Sequence, residues 1–151
     1  MINDKTYMQM ALAQAELAAA AGEVPIGAVL LTADGQVFCS HNAPIGLHDA
    51  SAHAEMRVLR MACAQLENYR LIGSSLYVTL EPCCMCAGAM IHARIGRLVY
   101  AASDTKTGAV ESLYTLLSDA RLNHQPEVRG GVMAAASSAL LKAFFKARRR
   151  K

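Results

Sequence analysis

Met8, Ala11, Leu12, Ala15 and Ala18 recur at intervals of three and four, a pattern that predicts an amphipathic N-terminal helix. Asn3 or Asp4 can cap its start, and Gly22 stops it after Ala21. The period then changes. Ile26 to Leu31 is an unbroken apolar run, short enough for a buried strand. Ala33-Asp34-Gly35 is turn chemistry, and Gln36 to Ser40 returns as the second arm of a hairpin. Asn42 to Asp49, punctuated by Pro44 and Gly46, reads as loop. Met56, Leu59, Cys63 and Leu66 restore the helical interval and predict a second helix over Ala52 to Leu66, capped by Ser51. Cys63 lies on that stripe and reads as core.

Gly73 and Ser74 break the chain again. Leu76 to Leu80 predicts a third strand that runs straight into Glu81-Pro82-Cys83. Pro82 suits the entry of a helix over Cys84 to Ala93, since it brings no N–H for a first turn to leave unpaired. Arg97 to Ala101 is a fourth strand, and two strands joined by one such helix imply a right-handed crossover and a parallel pair. A polar loop from Ser103 to Gly108, a short helix over Ser112 to Leu117 and a short fifth strand at Glu127 to Arg129 follow. A last helix over Met133 to Arg149 turns Leu140, Leu141 and Phe144 inward. The expected architecture is α/β, a mixed five-stranded sheet with helices on both faces. At 151 residues it is expected to form a single domain over 1–151.

Composition narrows the setting. With 54% hydrophobic residues the chain has ample material for a core, yet no apolar run approaches the ~18 residues of a membrane span. Asp4, Lys5 and Gln9 stand where a secretory signal would need a basic region and an apolar stretch. The formal charge of +3 hides an asymmetry: residues 142–151 hold six Lys or Arg and no acid, while the rest carries nine basic and twelve acidic residues. A basic C-terminal helix on a mildly acidic body points to an anionic partner there. Of the five cysteines, Cys83, Cys84 and Cys86 fall within four positions, poor spacing for disulfides and good spacing for metal. A reducing, cytoplasmic compartment suits such a set.

Zinc is held by thiolate and imidazole in a tetrahedron. Cys83 and Cys86, three apart at the start of a helix, can turn both sulfurs to one side, whereas Cys84 points elsewhere and reads as packing. A helix N-terminus also favours the thiolate form. His53 is the best-placed third donor. Three protein donors leave one position for water, the mark of a catalytic zinc site. Glu55, two residues beyond His53, sits about 200° round a helix by its ~100° per residue. It can reach that water without binding the ion, and proton shuttle is the role that fits. His-x-Glu or Cys-x-x-Cys alone would be weak. Both opening helices, with a proline before the first cysteine, make a specific constellation.

Ala52-His53-Ala54-Glu55 and Pro82-Cys83-Cys84-Met85-Cys86 resemble the signature of the zinc nucleoside and nucleobase deaminases. Val24 to Val29, Leu80-Glu81-Pro82-Cys83, Met85 to Met90, Asp104 with Lys106-Thr107-Gly108, and Leu122-Asn123-His124 are similar to the bacterial tRNA-specific adenosine deaminases within that family, from Tyr7 to about Arg149. The resemblance implies a three-layer cytidine-deaminase-like fold and one Zn2+ per subunit of a homodimer. It also implies hydrolysis of adenosine to inosine at the wobble position of a tRNA anticodon stem-loop. By the same resemblance Asn42 would bond the flipped base and the Ala54 N–H its ring nitrogen. Pro25 and Leu80 would wall the pocket, Asp104 and Lys106 would hold neighbouring nucleotides, and Phe145 with the basic tail would touch RNA. Cys84 departs from the small aliphatic residue usual there, and Ser103 from a basic one. A deaminase of a free nucleobase or nucleoside would use the same core. The basic tail and the Asp104 loop favour RNA, since a small neutral substrate needs neither.

Overall fold

A computed structural model describes residues 3–149. Of the basic C-terminus, Arg150 and Lys151 lie outside the described residues. Five strands, β1 (Gly27–Leu31), β2 (Val37–His41), β3 (Ser75–Leu80), β4 (Arg97–Ala102) and β5 (Glu127–Arg129), form one sheet in the order β2-β1-β3-β4-β5. β1 runs antiparallel to both β2 and β3, whereas β3, β4 and β5 are parallel. The helix between β3 and β4 is the expected crossover.

Side-chain alternation divides the core. Ala28, Leu30, Leu76, Val78, Leu98 and Tyr100 point to one face and meet α3 (Ala54–Leu66) and α4 (Cys84–Ala93). Val29, Tyr77, Val99 and Ala101 point to the other and meet Met8 and Ala11 of α1 (Asp4–Ala20). There α5 (Ala134–Arg149) joins α1 and lies on β3 and β4. The three layers are those the periodicity predicts. Burying each such aliphatic side chain stabilises the fold by about 1.5–3 kcal/mol. Gly27 is needed at the α1 contact, because a Cβ there would stand 2.0 Å from the Ala11 carbonyl oxygen. Thr79, at the end of β3, ties three elements: its hydroxyl accepts from Gly27 N–H (3.1 Å) and its carbonyl from the Ser137 hydroxyl of α5.

Three expectations change. The segment Asn42 to Asp49 contains a helical turn, α2 (Pro44–Leu47). α3 starts at Ala54 instead of Ala52, and Ser51 is not its cap. The Ser51 N–H and hydroxyl both donate to Asp49 Oδ1 (2.9 and 2.7 Å), a local turn that keeps the chain out of the helix until His53. The short helix expected over Ser112 to Leu117 is a single 3-10 turn at Leu116–Ser118, because the N–H and hydroxyl of Ser112 bond to Glu81.

Candidate metal centre and its cleft

α3 and α4 pack side by side on one sheet face, and their N-termini converge beyond the carboxyl end of β3. His53 is the residue just before α3 and Cys83 the residue just before α4, both extended (φ −67°, ψ 152° and φ −79°, ψ 178°). Neither caps its helix with its side chain, which leaves the imidazole and the sulfur free to face each other. Pro82 stands outside the helix instead of in its first turn, and its carbonyl accepts from Ala109 N–H at 2.8 Å.

His53 Nδ1 lies 3.6 Å from Cys83 Sγ and 3.5 Å from Cys86 Sγ. Zinc–sulfur bonds of ~2.3 Å and zinc–nitrogen bonds of ~2.0 Å at tetrahedral angles place nitrogen and sulfur about 3.5 Å apart. The donor set therefore fits zinc in chemistry and in spacing. Among the described residues no other His, Cys, Asp or Glu joins this cluster. Cys84 is exposed, which corrects its reading as packing. The two thiols are driven in opposite senses. The bond from Cys86 draws the Cys83 thiol down to about 4, with His53 adding to it against the cost of burial. The same bond, and then burial, push the Cys86 thiol up. One thiolate is thus already favoured before a cation adds its own charge.

Glu55, in the first turn of α3, is buried, and burial raises its carboxyl above the ordinary carboxylate range. A carboxyl shifted that way takes up a proton more readily than an exposed one, as a group that shuttles protons must. His53 opens onto a cleft of about 580 Å³, a volume within the range of small-ligand sites. Of the residues expected around a substrate, Asn42, Leu80, Asp104, Lys106 and Phe145 line this cleft. Pro25 is buried and does not line the cleft, whereas its sequence neighbours Val24 and Ile26 do. Ala54 is fully buried, but as the first residue of α3 its N–H has no intrahelical acceptor. Asn42 is buried too. Its Nδ2 donates to the Val24 carbonyl at 3.4 Å, and its Oδ1 has no hydrogen-bond partner among the described residues. Asp104 turns its carboxylate onto its own loop, accepting from Lys106 N–H, Thr107 N–H and the Thr107 hydroxyl (3.0, 3.1 and 2.6 Å). A second groove of about 590 Å³ shares Lys106, Leu141 and Phe145 with the cleft and continues along α5 past Lys142, Arg148 and Arg149.

Sequence reasoning missed the groups that hold the cleft's walls. Glu23 accepts from Ile45 and Gly46 N–H (3.1 and 2.7 Å), Glu81 from the segment after β4, and Arg57 Nη1 donates to the His41 carbonyl at 2.6 Å. The one available signal was an acid at the end of an apolar strand, where it must be buried and therefore satisfied.

Residues 1–102 match the family model of the cytidine and deoxycytidylate deaminase zinc-binding region. The chain is 48% identical over 147 residues to a tRNA-specific adenosine deaminase of Haemophilus influenzae, covering 97% of this chain and 85% of that one. It is 44% identical over 151 residues to its Bacillus subtilis counterpart, covering 100% and 94%. A structure solved in a study of A-to-I editing by tRNA:A34 deaminases superposes with a TM-score of 0.86 at 48% identity, covering 90% of this chain and 99% of that one.

Proposed function

The chain belongs to the zinc-binding cytidine and deoxycytidylate deaminase family, and on that premise we propose that it deaminates adenosine to inosine at the wobble position of a tRNA anticodon. The observation that carries the reading is the imidazole and two sulfurs at zinc-ligand spacing beside a buried carboxyl whose affinity for a proton is raised by burial.

His53, Cys83 and Cys86 would hold the ion. Zinc, when bound, supplies Lewis acidity that lowers the pKa of a coordinated water from ~15.7 toward ~7. The remaining work falls to the chain. Glu55 accepts a proton at its carboxylate and passes it to the adenine ring nitrogen. It then takes the second proton of the attacking water and delivers it to the amine on the neighbouring carbon as that group leaves. Water oxygen replaces the amino group, so adenosine and water yield inosine and ammonia. Asn42 Oδ1, buried without a partner at a cost of about 1–3 kcal/mol, regains a donor when a base enters. The Ala54 N–H donates to the base from the positive end of α3. Leu80 and Ile26 give the ring an apolar wall.

The route along α5 supports a polynucleotide over a free base. Lys106, Lys142, Arg148 and Arg149 supply phosphate partners, and exposed Phe145 offers a face for stacking. Asp104 and Lys106 hold the flanking nucleotides. The reading extends to one zinc deaminase domain over 1–151, as the length suggests, in the reducing cytoplasm that suits its cysteines, and to the homodimer that the resemblance implies. No helix among the described residues is long and apolar enough to cross a membrane. The test is to incubate zinc-loaded protein with an anticodon stem-loop carrying A34 and measure inosine. Wild type forms it. Glu55→Ala keeps zinc and RNA binding but loses about 10²–10⁴ in rate. A stem-loop left unedited by wild type refutes the reading.

A further inference from the structure

Two loops form part of the cleft's walls, and each hangs on one buried carboxylate. On the Asn42 side Glu23 holds the turn at Ile45 and Gly46. On the opposite side Glu81 does more. Its Oε1 accepts from Asp104 N–H (3.0 Å) and the Ser112 hydroxyl, and its Oε2 from the N–H groups of Val110, Glu111 and Ser112 (3.1, 2.8 and 2.9 Å). Gly108 is pressed against this carboxylate, where a Cβ would stand 2.4 Å from Glu81 Cδ and 2.5 Å from the Asp104 carbonyl oxygen. The side chain does not line the cleft, but its neighbours in sequence bracket it: Leu80 forms part of the wall and Cys83 belongs to the candidate metal cluster. The hydrogen bonds made by the Asp104 carboxylate close the loop on itself and do not tie it to the body of the protein.

We propose that Glu81 is a positioning residue that sets the substrate wall Asp104–Thr107 at a defined distance from the metal ligands, and thereby the grip on the nucleotides flanking the target base. The inference rests on the function proposed above. A carboxylate suits the task because both its oxygens only accept, and all five groups facing it only donate here. Glutamine would turn an NH2 toward those donors and leave at least one N–H unpaired.

Glu81→Gln and the milder Ser112→Ala are compared with wild type as zinc-loaded proteins. The measurements are zinc per chain, amide hydrogen exchange, and steady-state kinetics on the stem-loop. In Glu81→Gln zinc stays at one per chain. Exchange at Asp104, Val110, Glu111 and Ser112 speeds up tenfold or more, while Ala87 to Met90 of α4 stay protected. KM rises roughly 10–100-fold, the scale expected from a misplaced positioning group, with kcat within about threefold. Ser112→Ala shifts KM the same way by less. Asp104→Ala raises KM in wild type but adds little in Glu81→Gln, because both act through one loop. Loss of zinc in Glu81→Gln, a fall in kcat at constant KM, or full additivity with Asp104→Ala overturns the proposal. If Glu81→Gln does not fold, an unchanged KM in Ser112→Ala overturns it. Wild-type protein that makes no inosine sinks the functional reading instead, a failure kept apart from this one by the exchange data, which need no turnover.

Discussion

Asp4 and Glu81 are both buried carboxylates at the sheet, and they are satisfied in opposite ways. Asp4, at the start of α1, takes a two-pronged grip from Arg97 (2.6 and 2.5 Å), a bond from Arg129 (2.6 Å) and one from the Tyr77 hydroxyl (3.0 Å). Among the described residues Glu81 pairs with no cation; backbone N–H groups and one hydroxyl surround it. Both are held at about 2. For Asp4 the Arg97 guanidinium dominates over burial. For Glu81 burial pushes upward, and the bonds from Glu111, Ser112 and Asp104 together outweigh it. The difference is one of purpose. Paired charges join elements that are already regular, here α1 to β4 and β5. Converging N–H groups dictate the path of a segment with little regular structure of its own. The first arrangement serves stability, and the second serves placement beside the chemistry.

The largest expected effect lies at the functional end. Stripping zinc with a chelator, or Cys86→Ala, should lower unfolding free energy by up to roughly 10 kcal/mol, because metal affinity is folding free energy. Equal denaturation midpoints with and without chelator would contradict this. Next comes Asp4→Ala, which leaves the partly buried Arg97 without its partner and should cost about 3–5 kcal/mol in urea unfolding. Activity per folded molecule should be unchanged. A matching loss of activity would erase the distinction between the two ends.

Acid sharpens the contrast further. Asp4 falls from 3.8 to about 2 on folding, so its contribution is complete above pH 3.8 and disappears as pH drops through about 2. That shift corresponds to roughly 2 kcal/mol. Asp4→Asn should flatten the stability curve over this window; an equally steep acid limb in the variant would dismiss the role of Asp4. The smallest effect is expected for Arg129→Ala. Its side chain is 58% exposed, and it should cost under about 1 kcal/mol by the same assay. A cost equal to that of Asp4→Ala would shift the clamp from Arg97 to Arg129.

Much of the site was legible because its signals are local. Cys83 and Cys86 are one turn apart, His53 and Glu55 two residues apart, and each pair opens a helix that periodicity reveals. The strands were legible for the same reason, since alternation and apolar runs report which face is buried. The walls of the cleft were not. Asp104, Lys106 and Phe145 could be named by resemblance, but the attachment of the segment that carries Asp104 and Lys106 to Glu81 spans 23 to 31 residues and leaves no periodic trace.

The chain's own order of residues thus determined which donors are available, which helices present them, and that the C-terminus is basic. Only the tertiary structure decided that the Asn42 oxygen is stranded, that Glu55 is buried, and that His53 meets two sulfurs 30 and 33 residues away. Periodicity encodes faces, whereas meetings between distant segments depend on strand order and on the crossover that carries α4 over the sheet. Those are settled by the burial of the whole core.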